Sequence, residues 1–149
     1  MFKDGFQNII STDISEEVCK QMQEKISKYK SLSYIVDDVF NMKFENGTFD
    51  VVIDKALLDS ILCKENANQD ADKMVKEVYR VLGKRGKFIC ISHNHERSTY
   101  FKTQDWDIEA NPLSLKDLVD GESSKGKKDK KSNKQNEKAE HYLYIMTKP

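Results

Sequence analysis

Apolar residues recur along this chain in short blocks with two different spacings. Residues 6–13, FQNIISTD, centre on Ile9 and Ile10 and read as a short strand closed by an acid. Ser15 then stands as an N-cap, with Glu16 and Glu17 in the first turn, where the helix dipole favours anions. Val18, Met22, Lys25 and Ile26 follow at helical spacing, which predicts a helix of about 15 residues. SYIV at 33–36 is a second short strand, ending at Asp37 and Asp38. After the turn signal Asn46-Gly47, FDVVID at 49–54 is a β-branched run, again closed by an acid, and reads as a buried strand.

The second half repeats the alternation. ALLDSILC at 56–63 is apolar at helical spacing. Met74, Val75, Val78, Tyr79 and Leu82 fall on one face of a predicted helix over 70–82, stopped by Gly83. Lys84-Arg85-Gly86 makes a turn into a fourth strand, KFICIS at 87–92. DWDIEA at 105–110 and HYLYIMTK at 141–148 read as two final strands. Strands alternating with helices predict an α/β fold with a mostly parallel sheet, and the last two strands add an antiparallel hairpin.

Composition narrows the class. A length of 149 residues suggests one domain, 1–149. Charged residues make up 34% and hydrophobic ones 38%, and no apolar run approaches the roughly 20 residues of a membrane span. Cys19, Cys63 and Cys90 lie far apart in the sequence, with neither zinc spacing nor a disulfide framework, which points to a reducing, cytoplasmic compartment. The net charge of zero hides an asymmetry: residues 125–138 hold seven lysines against Asp129 and Glu137, a local +5, so the remainder carries −5. An acidic body argues against a nucleic-acid binder. Residues 121–140 lack an apolar pattern and are expected to be a disordered, Lys-rich insert between the last two strands.

Candidate chemistry gathers at strand ends. Asp13, Asp37 or Asp38, and Asp54 close three strands, and in an open α/β sheet the carboxyl ends of the strands face the ligand crevice. A carboxylate there can accept both hydroxyls of a ribose or the amino group of an adenine. Helix caps and turns are the structural alternative for each acid. His93 and His95 form a His-x-His after the fourth strand, too few ligands for a metal site, so a substrate-facing loop is expected there. Tyr100, Phe101 and Trp106 suit either an acceptor pocket or core packing.

DGFQNIISTDIS at 4–15, DDVFNMKFENGTFDVVIDKALLDSIL at 37–62, KEVYRVLGKRGKFICIS at 76–92 and HYLYIMTK at 141–148 together resemble class I S-adenosylmethionine-dependent methyltransferases. Within them the chain resembles the methyltransferase-like group that methylates lysines of translation elongation factor 1A. The resemblance implies a Rossmann-like sheet, S-adenosylmethionine as cofactor and a protein substrate. It implies that Asp13, with Ile14 beside it, holds the ribose, and that Asp38 lies against the adenine with the Val39 backbone N–H. Asp54 and Lys55 match the family's Asp-Lys pair at the mouth of the active site, Asp54 toward the cofactor and as the first candidate to orient or deprotonate a lysine acceptor. Asp59 is a further candidate for that role. Ala56 stands where the family usually has glycine.

The glycines, at 5, 47, 83, 86, 121 and 126, form no glycine-rich loop. The resemblance therefore implies a domain lacking its first strand, because the sequence is a fragment or because a second chain supplies that strand, and weak or no cofactor binding is expected of this chain alone. Two rivals to protein-lysine methylation follow. One is a non-catalytic subunit that binds a partner through an open sheet edge, and the other is methylation of a small molecule.

Overall fold

A computed structural model describes residues 1, 5–113 and 141–149, and the Lys-rich stretch 121–140 lies outside them. The described chain forms two compact units, Met1–Phe44 and Glu45–Pro149.

The first unit is a strand–helix–strand. β1 (Ile9–Asp13) pairs in parallel with β2 (Leu32–Val36), with Ile9 opposite Leu32 and Asp13 opposite Val36. Between them runs α1 (Glu16–Ile26). Its start is the predicted one: the Ser15 side chain accepts a hydrogen bond from the Val18 amide at 3.3 Å, satisfying an amide that the first helical turn leaves without a partner. The helix is 11 residues long and stops at Ile26, because Ser27 and Tyr29 turn the chain back on the carbonyls of Glu24 and Ile26. The Gln23 side chain accepts from the Tyr34 amide at 2.8 Å and so ties α1 to β2. Cys19 is the buried apolar residue of α1.

The second unit is built on four strands in the order β3-β4-β6-β5. β3 (Phe49–Lys55) runs parallel to β4 (Leu82–Ser92), but it is not the buried strand its β-branched run suggested: it is the edge of this sheet, Val51 and Ile53 are exposed, and Asp54 is its buried residue. β5 (Asp107–Leu113) and β6 (His141–Thr147) form the antiparallel pair, and β6 lies antiparallel to β4. α2 (Leu57–Ile61) and α3 (Ala67–Val81) connect β3 to β4. A short α4 (Ser98–Phe101), which the sequence pattern did not predict, follows β4.

The core of this unit follows from the two periodicities. α3 turns Ala71, Met74, Val75, Val78 and Val81 inward, and alternation buries Phe88, Cys90 and Ser92 on β4 and Tyr144 and Met146 on β6. Phe101 packs edge-on to Phe88 with ring centroids 5.9 Å apart. Trp106 stands nearly perpendicular to Tyr79 at 4.7 Å, and its indole nitrogen meets no hydrogen-bond acceptor among the described residues. Core packing therefore takes Phe101, while Tyr100 lines a small cleft with Asn68, Asp72, Thr99 and Thr103.

The turn expected at 84–86 appears inside β4. Arg85 takes a left-handed φ of 63°, and the register to β3 jumps from Phe49–Leu82 to Val51–Lys87. Gly86 is required there, since a Cβ would come within 2.8 Å of the Gly83 carbonyl oxygen. The Lys148 ammonium donates to the carbonyls of Tyr79 and Leu82, at 2.8 and 2.7 Å, and closes the C-terminus of α3. It also lies over the Tyr79 ring. A cleft of about 660 Å³ opens at this end, among Asn46, Gly47, Tyr79, Arg80, Lys84 and Lys148. These residues adjoin the amino ends of β3 and β4, away from the carboxyl ends where ligands of α/β sheets bind.

Candidate active site

In the first unit, the parallel pairing brings the carboxyl ends of β1 and β2 together. The Asp37 amide donates to the Asp13 carbonyl at 3.1 Å, extending the ladder past the last paired residues. Asp13 uses Oδ1 to accept from the Ser15 amide at 2.9 Å, and its Oδ2 has no partner among the described residues. Ile14, beside it, is 73% exposed.

The two neighbouring acids after β2 divide their work. Asp37 is buried, and both its oxygens accept from the Lys43 amide at 3.3 Å, closing the turn that follows. Asp38 is half-buried and accepts from the Phe40 amide through Oδ1 at 2.9 Å, leaving Oδ2 unpartnered among the described residues. The Val39 amide likewise donates to none of them. The strand pattern left Asp37 and Asp38 open and the family resemblance pointed to Asp38; the folded turn distinguishes them by their hydrogen bonds.

In the second unit, Asp54 lies at the carboxyl end of β3 and is 4% exposed. Its Oδ1 accepts from the Leu57 amide at 2.8 Å and its Oδ2 from the Leu58 amide at 3.1 Å, so it caps α2 from outside the helix. The Cys90 thiol donates to the same Oδ2 at 3.4 Å. Burial raises the Asp54 pKa above the ordinary carboxylate value, and the hydrogen bonds from Leu58, Leu57 and Cys90 only partly offset it. Burial, followed by the adjacent Asp54 charge, pushes the Cys90 thiol far up and keeps it protonated. Lys55 points its side chain to solvent. Ala56 adopts a left-handed φ of 69°, a conformation that glycine accepts freely and alanine does not.

Asp59, on α2, is the centre of a polar cluster at the end of β4. Its Oδ1 accepts from the Ser92 hydroxyl at 2.6 Å and from Arg97 Nε at 3.0 Å. The second Arg97 nitrogen approaches the same oxygen to 3.0 Å, with both side chains mostly buried. Oδ2 accepts from the His93 amide at 3.1 Å. Burial pushes the Asp59 carboxyl up, but Ser92, the His93 amide and the charged Arg97 together outweigh it and hold the pKa below the ordinary value. Tyr144 completes the cluster. Its hydroxyl donates to the Asn94 carbonyl at 2.6 Å and accepts from the Arg97 amide at 3.2 Å.

Ser92, Asn94, Arg97 and Tyr144 were not singled out by sequence reasoning. Arg97 left a faint signal, as the only lysine or arginine between residues 88 and 101, directly beyond a strand's carboxyl end. His93 and His95 lie exposed on this loop; the His93 ring packs on His141 at 4.4 Å and the His95 ring on Tyr142 at 5.8 Å.

Comparison with known proteins places this architecture. Residues 1–90 match the family model described as "Methyltransferase domain". The chain belongs to the S-adenosylmethionine-dependent methyltransferase family. S-adenosylmethionine is the cofactor of this family. Over 91 residues the chain is 42% identical to a Bos taurus protein described as "eEF1A lysine and N-terminal methyltransferase". That match covers 59% of this chain but only 13% of the bovine protein's length. Among solved structures, a Pyrococcus horikoshii OT3 protein superposes with a TM-score of 0.68 at 20% identity, covering 99% of this chain and 74% of that one. The N-methyltransferase NodS from Bradyrhizobium japonicum WM9, solved with S-adenosylhomocysteine, superposes at 0.62 with 12% identity, covering 94% of this chain and 66% of NodS. These two likenesses establish the shared Rossmann-like methyltransferase fold.

Proposed function

We propose that this chain is the catalytic domain of a protein-lysine methyltransferase that acts on a translation elongation factor in the cytoplasm. The carrying observation is the pair Asp13 and Asp38, held at the carboxyl ends of two adjoining parallel strands, each with one carboxylate oxygen left for a ligand. Their chemistry fits a nucleoside. Asp13 would accept the ribose hydroxyls, Asp38 the adenine amino group, and the Val39 N–H would meet a ring nitrogen. Ile14 offers an exposed apolar surface for the base. The choice of acceptor rests on the bovine relative, whose name gives lysine and N-terminal methylation of elongation factor 1A. The cytoplasm is the reading consistent with free Cys19, Cys63 and Cys90, and no helix among the described residues is long and apolar enough to cross a membrane.

When bound, the cofactor's sulfonium supplies the methyl group. A lysine amine has an ordinary pKa of about 10.4 and attacks only after losing a proton, so positioning of the neutral amine carries most of the catalysis. In this reading Asp54 acts by shaping the turn before α2, because both its oxygens are already engaged by backbone amides. Lys55, Asp59 and the 93–97 loop form the acceptor side.

Calorimetric titration with S-adenosylhomocysteine tests the reading, on this chain and on a form given an added amino-terminal strand and glycine-bearing loop. Binding is expected in the extended form and is lost in its Asp13→Ala variant. An extended form that binds no S-adenosylhomocysteine would sink the proposal. Transfer of labelled methyl groups to elongation factor 1A then tests the acceptor.

One observation favours a second reading. β3 is an edge of its sheet, and Val51 and Ile53 on it are 38% and 44% exposed. Such an edge can take up a strand from a partner chain. Light scattering across a concentration series would detect self-association through it, which an Ile53→Lys substitution should abolish.

A further inference from the structure

The cluster around Asp59 joins two pieces of chain far apart in sequence. One is α2, which begins two residues after the Asp54-Lys55 pair. The other is the loop 93–97 beyond β4. Besides the Ser92–Asp59 bond at 2.6 Å, the bonds of this cluster converge on the loop's backbone or on Arg97. The His93 amide goes to Asp59, the Asn94 amide to the Ser92 hydroxyl at 3.2 Å, and the Asn94 carbonyl and Arg97 amide to the Tyr144 hydroxyl. Asn94 adds a turn of its own by accepting from the Glu96 amide at 2.8 Å. The loop's other side chains take no part in these bonds: the His95 and Glu96 side chains are 67% and 74% exposed and His93 is exposed as well, with the two imidazoles lying against His141 and Tyr142 of β6.

So much buried polar bonding is expensive unless every member is satisfied, and here Asp59 receives donors on both oxygens. A loop that merely connected β4 to α4 would need none of it, since connecting loops are ordinarily solvated. The arrangement fixes the backbone while leaving three polar side chains outward at a strand's carboxyl end, which is the form of a recognition loop on a rigid base.

We propose that Asp59 and Arg97 are positioning residues that lock the 93–97 loop as the surface recognising the protein acceptor, with His93, His95 and Glu96 as its contact side chains. This inference rests on the methyltransferase reading for the identity of the acceptor, but the lock itself does not.

The test compares the form extended by an amino-terminal strand and glycine-bearing loop with its Asp59→Asn and Arg97→Ala variants. It uses three readings: hydrogen exchange of the loop amides, the Kd for S-adenosylhomocysteine, and KM and kcat for methyl transfer to elongation factor 1A. The His93 and Asn94 amides should exchange at least about tenfold faster in both variants, with α3 amides unchanged. The Kd should stay within about twofold, while KM for the acceptor rises about tenfold or more and kcat moves less. Arg97→Lys keeps a cation but not the fork that also reaches Ser92, and should recover part of the KM. Should either variant unfold, Arg97→Lys alone carries the comparison. Unchanged loop exchange overturns the lock. Faster exchange with an unchanged KM overturns the acceptor role. An extended wild-type form that binds S-adenosylhomocysteine but transfers nothing to the factor defeats the acceptor assignment of both proposals, and the exchange result still decides the lock.

Discussion

The two units hold their chemical groups by different means. Among the described residues, Glu45–Pro149 buries thirteen apolar side chains, from Leu58 to Met146, whereas Met1–Phe44 buries only Cys19. Asp13 and Asp38 are accordingly set by local hydrogen bonds to amides two residues on, the geometry of short turns. Asp54 adds to its two local amides a buried contact with Cys90, and Asp59 is held by Ser92 and Arg97, partners that lie 33 to 38 residues away. A small strand–helix–strand unit with so little buried surface has little stability of its own. The lesson is that a carboxylate at a strand end can be oriented by a few consecutive residues, while the Asp59 cluster of the second unit needs a folded core to exist at all.

The largest effects should come from that core. Phe88→Ala removes a fully buried ring packed on Phe101 and should cost about 3–5 kcal/mol, whereas Val18→Ala, at a helix position 41% exposed, should cost under about 0.5 kcal/mol. Urea unfolding of both variants checks this, and similar losses would break the comparison. Next is Asp54→Ala, which strips the Leu57 and Leu58 amides of their acceptor and should cost about 2–3 kcal/mol in the same assay. A loss below 0.5 kcal/mol, on the scale of an exposed site, would mean the cap contributes nothing.

Smaller still, and of opposite sign, is Ala56→Gly. Relief of the left-handed φ should raise stability by about 0.5–1 kcal/mol. The smallest expected effect is a slope. Asp59 has a lowered pKa in the folded state, so its contribution is full above the ordinary value of 3.8 and is lost as pH falls through the lower folded value. Asp54 runs the other way: its raised folded pKa favours the protonated form, so stability falls as pH rises from 3.8 through the raised value. Denaturation across pH 2–6 should show the acid limb flattened in Asp59→Asn and the opposite slope flattened in Asp54→Asn. An acid limb unchanged in Asp59→Asn would remove the ion pair from the account.

Much of the fold was legible because short-range rules govern it. The acid-ended strands, the Ser15 cap, the apolar face of α3 and the parallel-then-antiparallel order follow from alternation, capping and spacing, which nearest neighbours along the chain enforce. Element ends were less legible. α1 stops short because its last turn is captured by carbonyls that the spacing of Val18, Met22 and Ile26 does not reveal, and β4 runs back to Leu82 because Arg85 absorbs the turn in one left-handed residue.

By itself the sequence determined an α/β methyltransferase-family domain, with Asp13, Asp38 and Asp54 at the carboxyl ends of strands, because pattern and turn chemistry are local. Only the tertiary structure showed that Asp37 closes its turn with both oxygens while Asp38 keeps one unpartnered among the described residues, and that Asp54 is a buried cap. It alone joined Asp59 to Ser92 and Arg97, and Arg97 to Tyr144. The reason is range: a carboxylate's protonation and partners depend on what packs around it, and those neighbours are brought in by strand register and core burial from distant parts of the chain.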